Sequence, residues 1–419
     1  MGKTKKIKPK RKNVNNLAFI DSALSYTQKH PIVQFLIFLL ILILLLVFFS
    51  DVTWGVVIPA MIGFVLSCIA GSALKTYQSR REDKLKSNQD FQQVSKIYSK
   101  ENYMEVSYNG EPVDIFFKDL GSIDSQRVLF VLDTGHPFQL DDLIKYNCFS
   151  IMASHSMSYK ENGPTLRLDN IIKNKDGSLT FMTSKSNYFN HLLTNRAVDY
   201  RVNGTMSLRE IYEPGPLISP LSQSKFSNHI GINVIILFND FYSPMPLRRS
   251  DATYSKNKVT SSIASRLIID DLDSSVLNLD YIYRFIYTSA REKLDIPESV
   301  LSENSNLIDF IGAAQNIYEG GKPQLYFFLY LSGLSSKDYL ISRKKTDHKD
   351  KPRNGIDLDK KVFLVNFKTL RTKANYHIGV DTLCWIKKHR ALVPEKSFFA
   401  NLHYFLETDF YKEHFKTNQ

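Results

Sequence analysis

A chain of 419 residues, 43% hydrophobic and 23% charged, can bury a sizeable core and has room for more than one domain. Its three cysteines, Cys68, Cys148 and Cys384, lack metal or disulfide spacing, which argues for a reducing compartment and against a disulfide-stapled secreted fold. The net charge is +12, yet residues 1–86 carry +9 of it and the other 333 only about +3, which argues against a DNA- or RNA-binding domain with its own basic face.

In chain order, residues 1–30 form a basic tail with eight Lys/Arg against Asp21. The stretch "PIVQFLIFLLILILLLVFFS" (31–50) is uncharged over 20 residues, enough for roughly 30 Å of helix. After Asp51, residues 52–74 are again uncharged, with Trp54 where an interfacial aromatic belongs. The pattern predicts a two-helix transmembrane hairpin over 31–74; a cleavable signal peptide fits poorly, because a second apolar run follows at once. Lys/Arg on both flanks predict cytoplasmic termini. Gly63, Ser67 and Gly71 recur every four residues, a spacing that packs helices within the hairpin or between protomers. Residues 75–100 are polar and read as a juxtamembrane connector.

From residue 101 strands dominate. Over 101–225, "YMEVSYNGEPVDIFF" and "TLRLDNIIKNKDGSLTF" carry the hairpin signals Asn109-Gly110 and Asp176-Gly177. "RVLFVLD", "GINVIILFND", "PQLYFFLYL" and "KKVFLVNF" read as buried strands. Ile282, Phe285, Ile286, Ala290 and Leu294 predict a helix over 277–294, and 397–415 predicts another. Asp133-Thr134-Gly135 matches the core of an aspartic-protease loop, but that chemistry needs two carboxylates sharing a proton; a strand-ending turn explains it. The ten histidines are scattered without metal spacing.

The segment "IYTSAREKLDIPES" (286–299), following a buried strand and a loop, resembles the worn signature of the NUDIX hydrolases, Gly-x5-Glu-x7-Arg-Glu-U-x-Glu-Glu-x-Gly-U with U a bulky aliphatic. With Glu292 on the first paired glutamate, Asp280 falls on the leading glutamate and Ser274 on the opening glycine. Thr288 and Ser289 fall on Arg-Glu, Ala290 on the aliphatic position, Lys293 on the second paired glutamate, and Asp295 and Ile296 on the final pair. The resemblance implies an α/β/α sandwich for the core at 226–419. In the family, helix-borne glutamates bind Mg²⁺; here Ser289 and Lys293 replace two of them, which argues against a metal site, a cofactor and hydrolysis. A degenerate NUDIX-like domain behind two transmembrane helices is similar to the TM–NUDIX effectors of bacterial CBASS anti-phage systems. That likeness implies a cyclic oligonucleotide ligand made by a linked nucleotidyltransferase, homo-oligomerisation on activation, and disruption of the lipid bilayer of the inner membrane.

The residues also point to a nucleotide pocket without the family. Arg248, Arg249, Lys256, Lys258, Arg266, Lys293 and Lys322 are candidate phosphate ligands, and Tyr254 and Tyr188, with Phe189, are candidate base-stacking rings. Gly320-Gly321 offers either backbone amides to a phosphate or simply a turn. The competing readings are a membrane-anchored NUDIX hydrolase of nucleoside diphosphate derivatives using Asp280 and Glu292, and a membrane-anchored scaffold without a ligand.

Overall fold

The computed structural model describes residues 91–108, 111–155, 162–248, 258–268, 277–303, 305–346, 362–368, 376–379, 382–387, 390–392 and 394–415, with scattered positions between 55 and 77. The chain divides into two units, Met1–Arg80 and Arg81–Gln419. The second unit mixes strands and helices throughout its length, a mixed α/β domain.

The expected transmembrane hairpin requires correction. Among the described residues no helix is long and apolar enough to cross a membrane. The first expected span, 31–50, lies outside the described residues. Of the second only scattered positions are described, Gly63, Ser67 and Gly71 among them as exposed helical residues. Among the described residues, a Cβ built on Gly63 or Gly71 would meet nothing within 4 Å. The longest described helix has 16 residues, Leu279–Leu294. It rises about 24 Å, short of the roughly 30 Å hydrocarbon core, and it carries Asp280, Arg284, Arg291, Glu292 and Lys293. The inner-membrane placement that rested on those spans has no support among the described helices.

The second unit opens with strands β1 (Met104–Tyr108) and β2 (Glu111–Ile115), which pair antiparallel with Tyr108 opposite Glu111. Next come β3 (Phe117–Ser122), β4 (Val128–Asp133) and helix α1 (Asp142–Ser154). Strands β5 (Pro164–Lys173) and β6 (Leu179–Asn187) pair antiparallel on either side of Gly177, whose φ of +83° is the left-handed conformation glycine accepts at low cost. Helices α2 (Tyr188–Leu193) and α3 (Leu208–Tyr212) lead to β7 (Gly231–Phe238), β8 (Tyr242–Pro246) and β9 (Ile263–Arg266). Helix α4 (Leu279–Leu294), β10 (Leu307–Asn316), β11 (Lys322–Leu331), β12 (Val362–Asn366), α5 (Lys396–Glu407) and α6 (Asp409–Phe415) complete the elements used below.

A five-stranded sheet ordered β3-β10-β11-β7-β9 organises this unit. β11 and β7 run parallel at its centre, and the other pairs are antiparallel. Every residue of β7 is buried, as expected of a strand covered on both faces. Its side chains alternate accordingly. Ile232, Val234, Ile236 and Phe238 join the core that contains α4, while Ile235 and Leu237 join the core formed with α5 and α6. A three-stranded sheet, β4-β6-β5, shares the α4 core through Phe130, Leu166, Leu168 and Phe181. Isolated bridges from Thr165 to Ile268 and from Arg167 to His229 tie β5 to the end of the larger sheet.

Local chemistry accounts for the ends of α4. The Asn278 side chain accepts from the Tyr281 amide at 3.0 Å, and Asp280 lies in the first turn where the helix dipole favours an anion. Ile282, Ile286, Ala290 and Leu294 form the buried stripe. The helix stops at Asp295, φ +57°, whose carboxylate lies 3.5 Å from the Arg343 guanidinium. Asp295 is the residue aligned with the NUDIX glycine, yet a left-handed residue ends many helices, so this does not tie the chain to that family. The expected helix over 397–415 is two, because Thr408 is extended (φ −65°, ψ 149°) between α5 and α6.

A third, smaller core under α1, α2 and α3 includes Ile144, Leu193, Leu208 and Phe226. Arg209, only 1% exposed, fastens this lobe to the sheet by donating to Asp199 and to the carbonyls of Ile317 and Tyr318 in the β10–β11 connection.

Candidate functional site

The structure distributes the sequence-predicted cations over several places. Arg248 Nε donates to Glu395 Oε2 at 3.1 Å, and the Arg248 amide donates to the Lys258 carbonyl. Burial lowers the Lys258 pKa while Glu395 opposes that shift, so these two cations are organised around one carboxylate. Lys293 Nζ donates to Ser265 Oγ at 2.7 Å, in a different region, and lies 5.9 Å from the Phe285 ring centroid. Arg249, Tyr254 and Lys256 lie outside the described residues.

The NUDIX-box positions do not assemble. Asp280 and Glu292 are exposed on one helix, twelve residues and roughly 18 Å of axis apart, too far to share a cation. Ser289 is 4% exposed, on the core side of the same helix. Among the described residues no group of three His, Cys, Asp or Glu is placed to hold a metal ion.

Arg266, Tyr188 and Lys322 do come together, on the sheet face opposite the α4 core. The Arg266 guanidinium lies over the Tyr188 ring at 4.2 Å. Tyr188 is 6.0 Å from His191 one turn along α2, and His191 stacks on His229, 3.7 Å between centroids at 23°. Parallel register places Gln324 beside Gly231, and therefore Lys322 beside His229. Lys322 Nζ is 3.6 Å from the buried Glu319 carboxylate. Burial lowers the pKa of both histidines well below the ordinary value, and Lys322 adds to the shift on each; Arg266 also acts on His229. Both imidazoles are therefore neutral at pH 7.

Gly320 and Gly321 do not cradle a phosphate. Their amides donate to the carbonyls of Ile317 and Asn316, closing the turn between β10 and β11. Both have positive φ, and a Cβ on Gly320 would stand 2.5 Å from the Phe226 ring. Gly320→Ala is expected to destabilise the fold by about 1–3 kcal/mol, from the strained φ and the overpacked ring. Urea denaturation would show it, and an unshifted midpoint would contradict this role.

Beside this face opens a cleft of about 350 Å³. Phe138 and Gln139 line one side, Lys145 of α1 another, and Lys185, Asn187 and Asn190 the strand-to-helix junction. Among the described residues no carboxylate lines it, although Lys145 reaches out to Asp142 at 2.9 Å. The junction is rigid for a local reason. The Asn187 side chain caps α2 by accepting from the Asn190 amide at 2.9 Å, and Asn190 Nδ2 donates to Ser186 Oγ at 3.4 Å. Arg167 lies over the Phe138 ring at 5.2 Å and is ion-paired with Asp169. The loop entering the cleft begins at Asp133-Thr134-Gly135. The Asp133 carboxylate accepts from the amides of Gly135 and His136 at 2.9 and 3.1 Å, which makes it a strand-ending turn.

Composition and spacing did not single out Phe138, Lys145, Lys185, Asn190, His191 or His229. The available signal was position. "HPFQLDDLIK" follows the Asp133 turn, and "SKSNYFNH" surrounds Tyr188, but only the tertiary pairing of β5, β6 and β7 brings them side by side. No protein-family model matches the chain, and no curated protein is significantly similar to it.

Proposed function

We propose that this chain is a receptor that binds a nucleotide of the cyclic oligonucleotide class without hydrolysing it, in the cleft between α1 and the β6–α2 junction. The observation that carries the reading is the cleft's lining. Two lysines answer phosphates, the amides of Gln139, Asn187 and Asn190 can meet base edges, and Phe138 offers a ring for stacking. The absence of a carboxylate among the described lining residues suits an anion. The separation of Asp280 from Glu292 along one helix supports a receptor over the hydrolase reading. A linked nucleotidyltransferase as the source of ligand, and homo-oligomerisation as the response, remain part of the proposal through the resemblance alone.

Calorimetry of the full chain against cyclic di- and trinucleotides in EDTA, with chromatography of the ligand afterwards, tests this. Binding with intact ligand is expected. Lys145→Ala and Lys185→Ala should each weaken it about tenfold or more, since a hydrogen bond to a charged group contributes about 1.5–3 kcal/mol. Mg²⁺-dependent cleavage of a nucleoside diphosphate derivative, with no binding in EDTA, would replace the receptor by an enzyme.

A further inference from the structure

Four buried polar atoms in one neighbourhood have no partner: Nδ1 of His191, Nδ1 of His229, the Asn228 amide nitrogen and the Thr165 hydroxyl. Exposures of 5%, 2%, 0% and 0% put all four side chains beyond nine-tenths buried. Their elements adjoin. His191 stacks on His229, Asn228 precedes His229 in the chain, and Thr165 stands two residues before Arg167, the bridge partner of His229. An unsatisfied buried polar group costs about 1–3 kcal/mol, so four together describe a place completed by something the chain does not supply.

Charge decides what that is. The groups facing the histidine pair are Tyr188 on α2, His155 after α1, Arg196 in the turn after α2, Arg266 on β9, Lys322 on β11 with Glu319 before it, and Arg167 on β5 with Asp169. Four permanent cations stand against two carboxylates. Water would satisfy hydrogen bonds, whereas an anion is also drawn there by the surrounding cations and can accept from rings that protonate as it binds. Each imidazole held neutral by burial becomes a two-sided donor when it gains a proton, and stacked rings present their edges to one bridging acceptor.

We propose that the His191–His229 stack is a binding site for a small oxyanion of the phosphate class, taken up together with protons from solvent. Each imidazole gains one proton, no covalent bond changes, and the anion accepts from both rings. α2 links this site to the cleft, because Asn187 and Asn190 at its start line the cleft while Tyr188 and His191 face the stack. The oxyanion is therefore either free phosphate or a phosphoryl group of a ligand seated next door.

The test is calorimetry of the full chain with inorganic phosphate at pH 7, in two buffers of different ionisation enthalpy, which counts protons taken up. One to two protons per phosphate are expected, with affinity falling as pH rises from 6 to 8. His191→Gln and His229→Gln should abolish the uptake and weaken binding at least tenfold, while the Lys145→Ala/Lys185→Ala variant retains both. If phosphate alone does not bind, a cyclic dinucleotide that binds with the same His191-dependent proton uptake identifies the oxyanion as the ligand's own. Binding without proton uptake, a flat pH profile in the wild type, or loss of phosphate binding in the lysine variant alone would overturn the proposal. The lysine variant also separates the two sites: it can lose the nucleotide and keep the phosphate.

Discussion

Replacing Arg209 by alanine is expected to remove about 3–5 kcal/mol of folding stability, the cost of leaving a buried charge without its partner. The guanidinium is 1% exposed and spends its donors fully. Nε and Nη2 reach Asp199 at 2.6 and 3.1 Å, Nη1 reaches the Ile317 carbonyl at 2.8 Å and the Tyr98 hydroxyl at 3.4 Å, and Nη2 reaches the Tyr318 carbonyl at 2.9 Å. Truncation takes the guanidinium away from Asp199, itself largely buried, and from two carbonyls in the connection that turns β10 into β11. The same connection presents Glu319, whose carbonyl accepts from Asn195 at 2.9 Å, and it leads directly to Lys322 beside the histidine stack. The damage should therefore reach ligand binding as well as stability. Arg209→Lys keeps the charge but loses the two-pronged geometry, and an intermediate loss is expected. Urea denaturation with an unchanged slope measures both. A loss below about 1 kcal/mol for Arg209→Ala, the scale of a surface ion pair, would show that the lobe is not fastened here.

Legibility in the sequence followed the physics of each feature. β7, β11 and α4 were legible because they are self-contained: an uninterrupted apolar run, another, and a 3.6-residue stripe whose N-cap, Asn278, immediately precedes it. The hairpin glycine Gly177 was legible because a turn is local. α1 was not, since "DLIKYNCFSIMAS" buries only Ile144, Asn147, Ile151 and Ser154 and leaves Tyr146 and Phe149 exposed, which blurs its period. Over 31–74 apolar length permits a membrane span without compelling one, and no described helix forms it. At the candidate site Arg248 shows the general difficulty. Its fate is set by Glu395, 147 residues away, and no local pattern could reveal that the cation was already engaged. His191 and His229, 38 positions apart, meet only because β5 bridges to β7 while α2 folds over them. Tyr188, a candidate stacking ring, and the candidate cations Arg266 and Lys322 are the three sequence candidates that fall on the assembled face.

Acid should unfold this protein early, and His155 should account for about 3 kcal/mol of that loss. The ring is 1% exposed, hydrogen-bonds the Leu192 carbonyl through Nε2 at 2.8 Å, and is pushed down by burial to a pKa of about 4. An unfolded histidine titrates near 6.5, so between pH 6.5 and 4 the unfolded chain holds a proton that the folded chain refuses. The sign follows: the contribution is complete above pH 6.5 and is lost as pH falls towards 4, at up to 1.36 kcal/mol per pH unit. His191 and His229 are depressed in the same direction by burial and add to the loss as pH falls below 6.5. Glu213 and Asp309 work the other way, since burial raises their pKa values and the folded state gains protons as pH falls. A difference measurement isolates one group from this mixture. Urea unfolding of the wild type and His155→Gln at half-unit steps from pH 7.5 to 4.5 should show a steeper acid loss in the wild type, converging on the variant as pH falls. Parallel curves would mean that His155 takes up its proton alike in the folded and the unfolded chain. Inorganic phosphate adds a second axis, because an anion that brings protons to His191 and His229 binds the folded state more tightly as pH falls. Phosphate should then protect most where the histidines cost most. Protection that is constant across the pH range would leave His155 as predicted and deny the neighbouring pair its proton-linked anion.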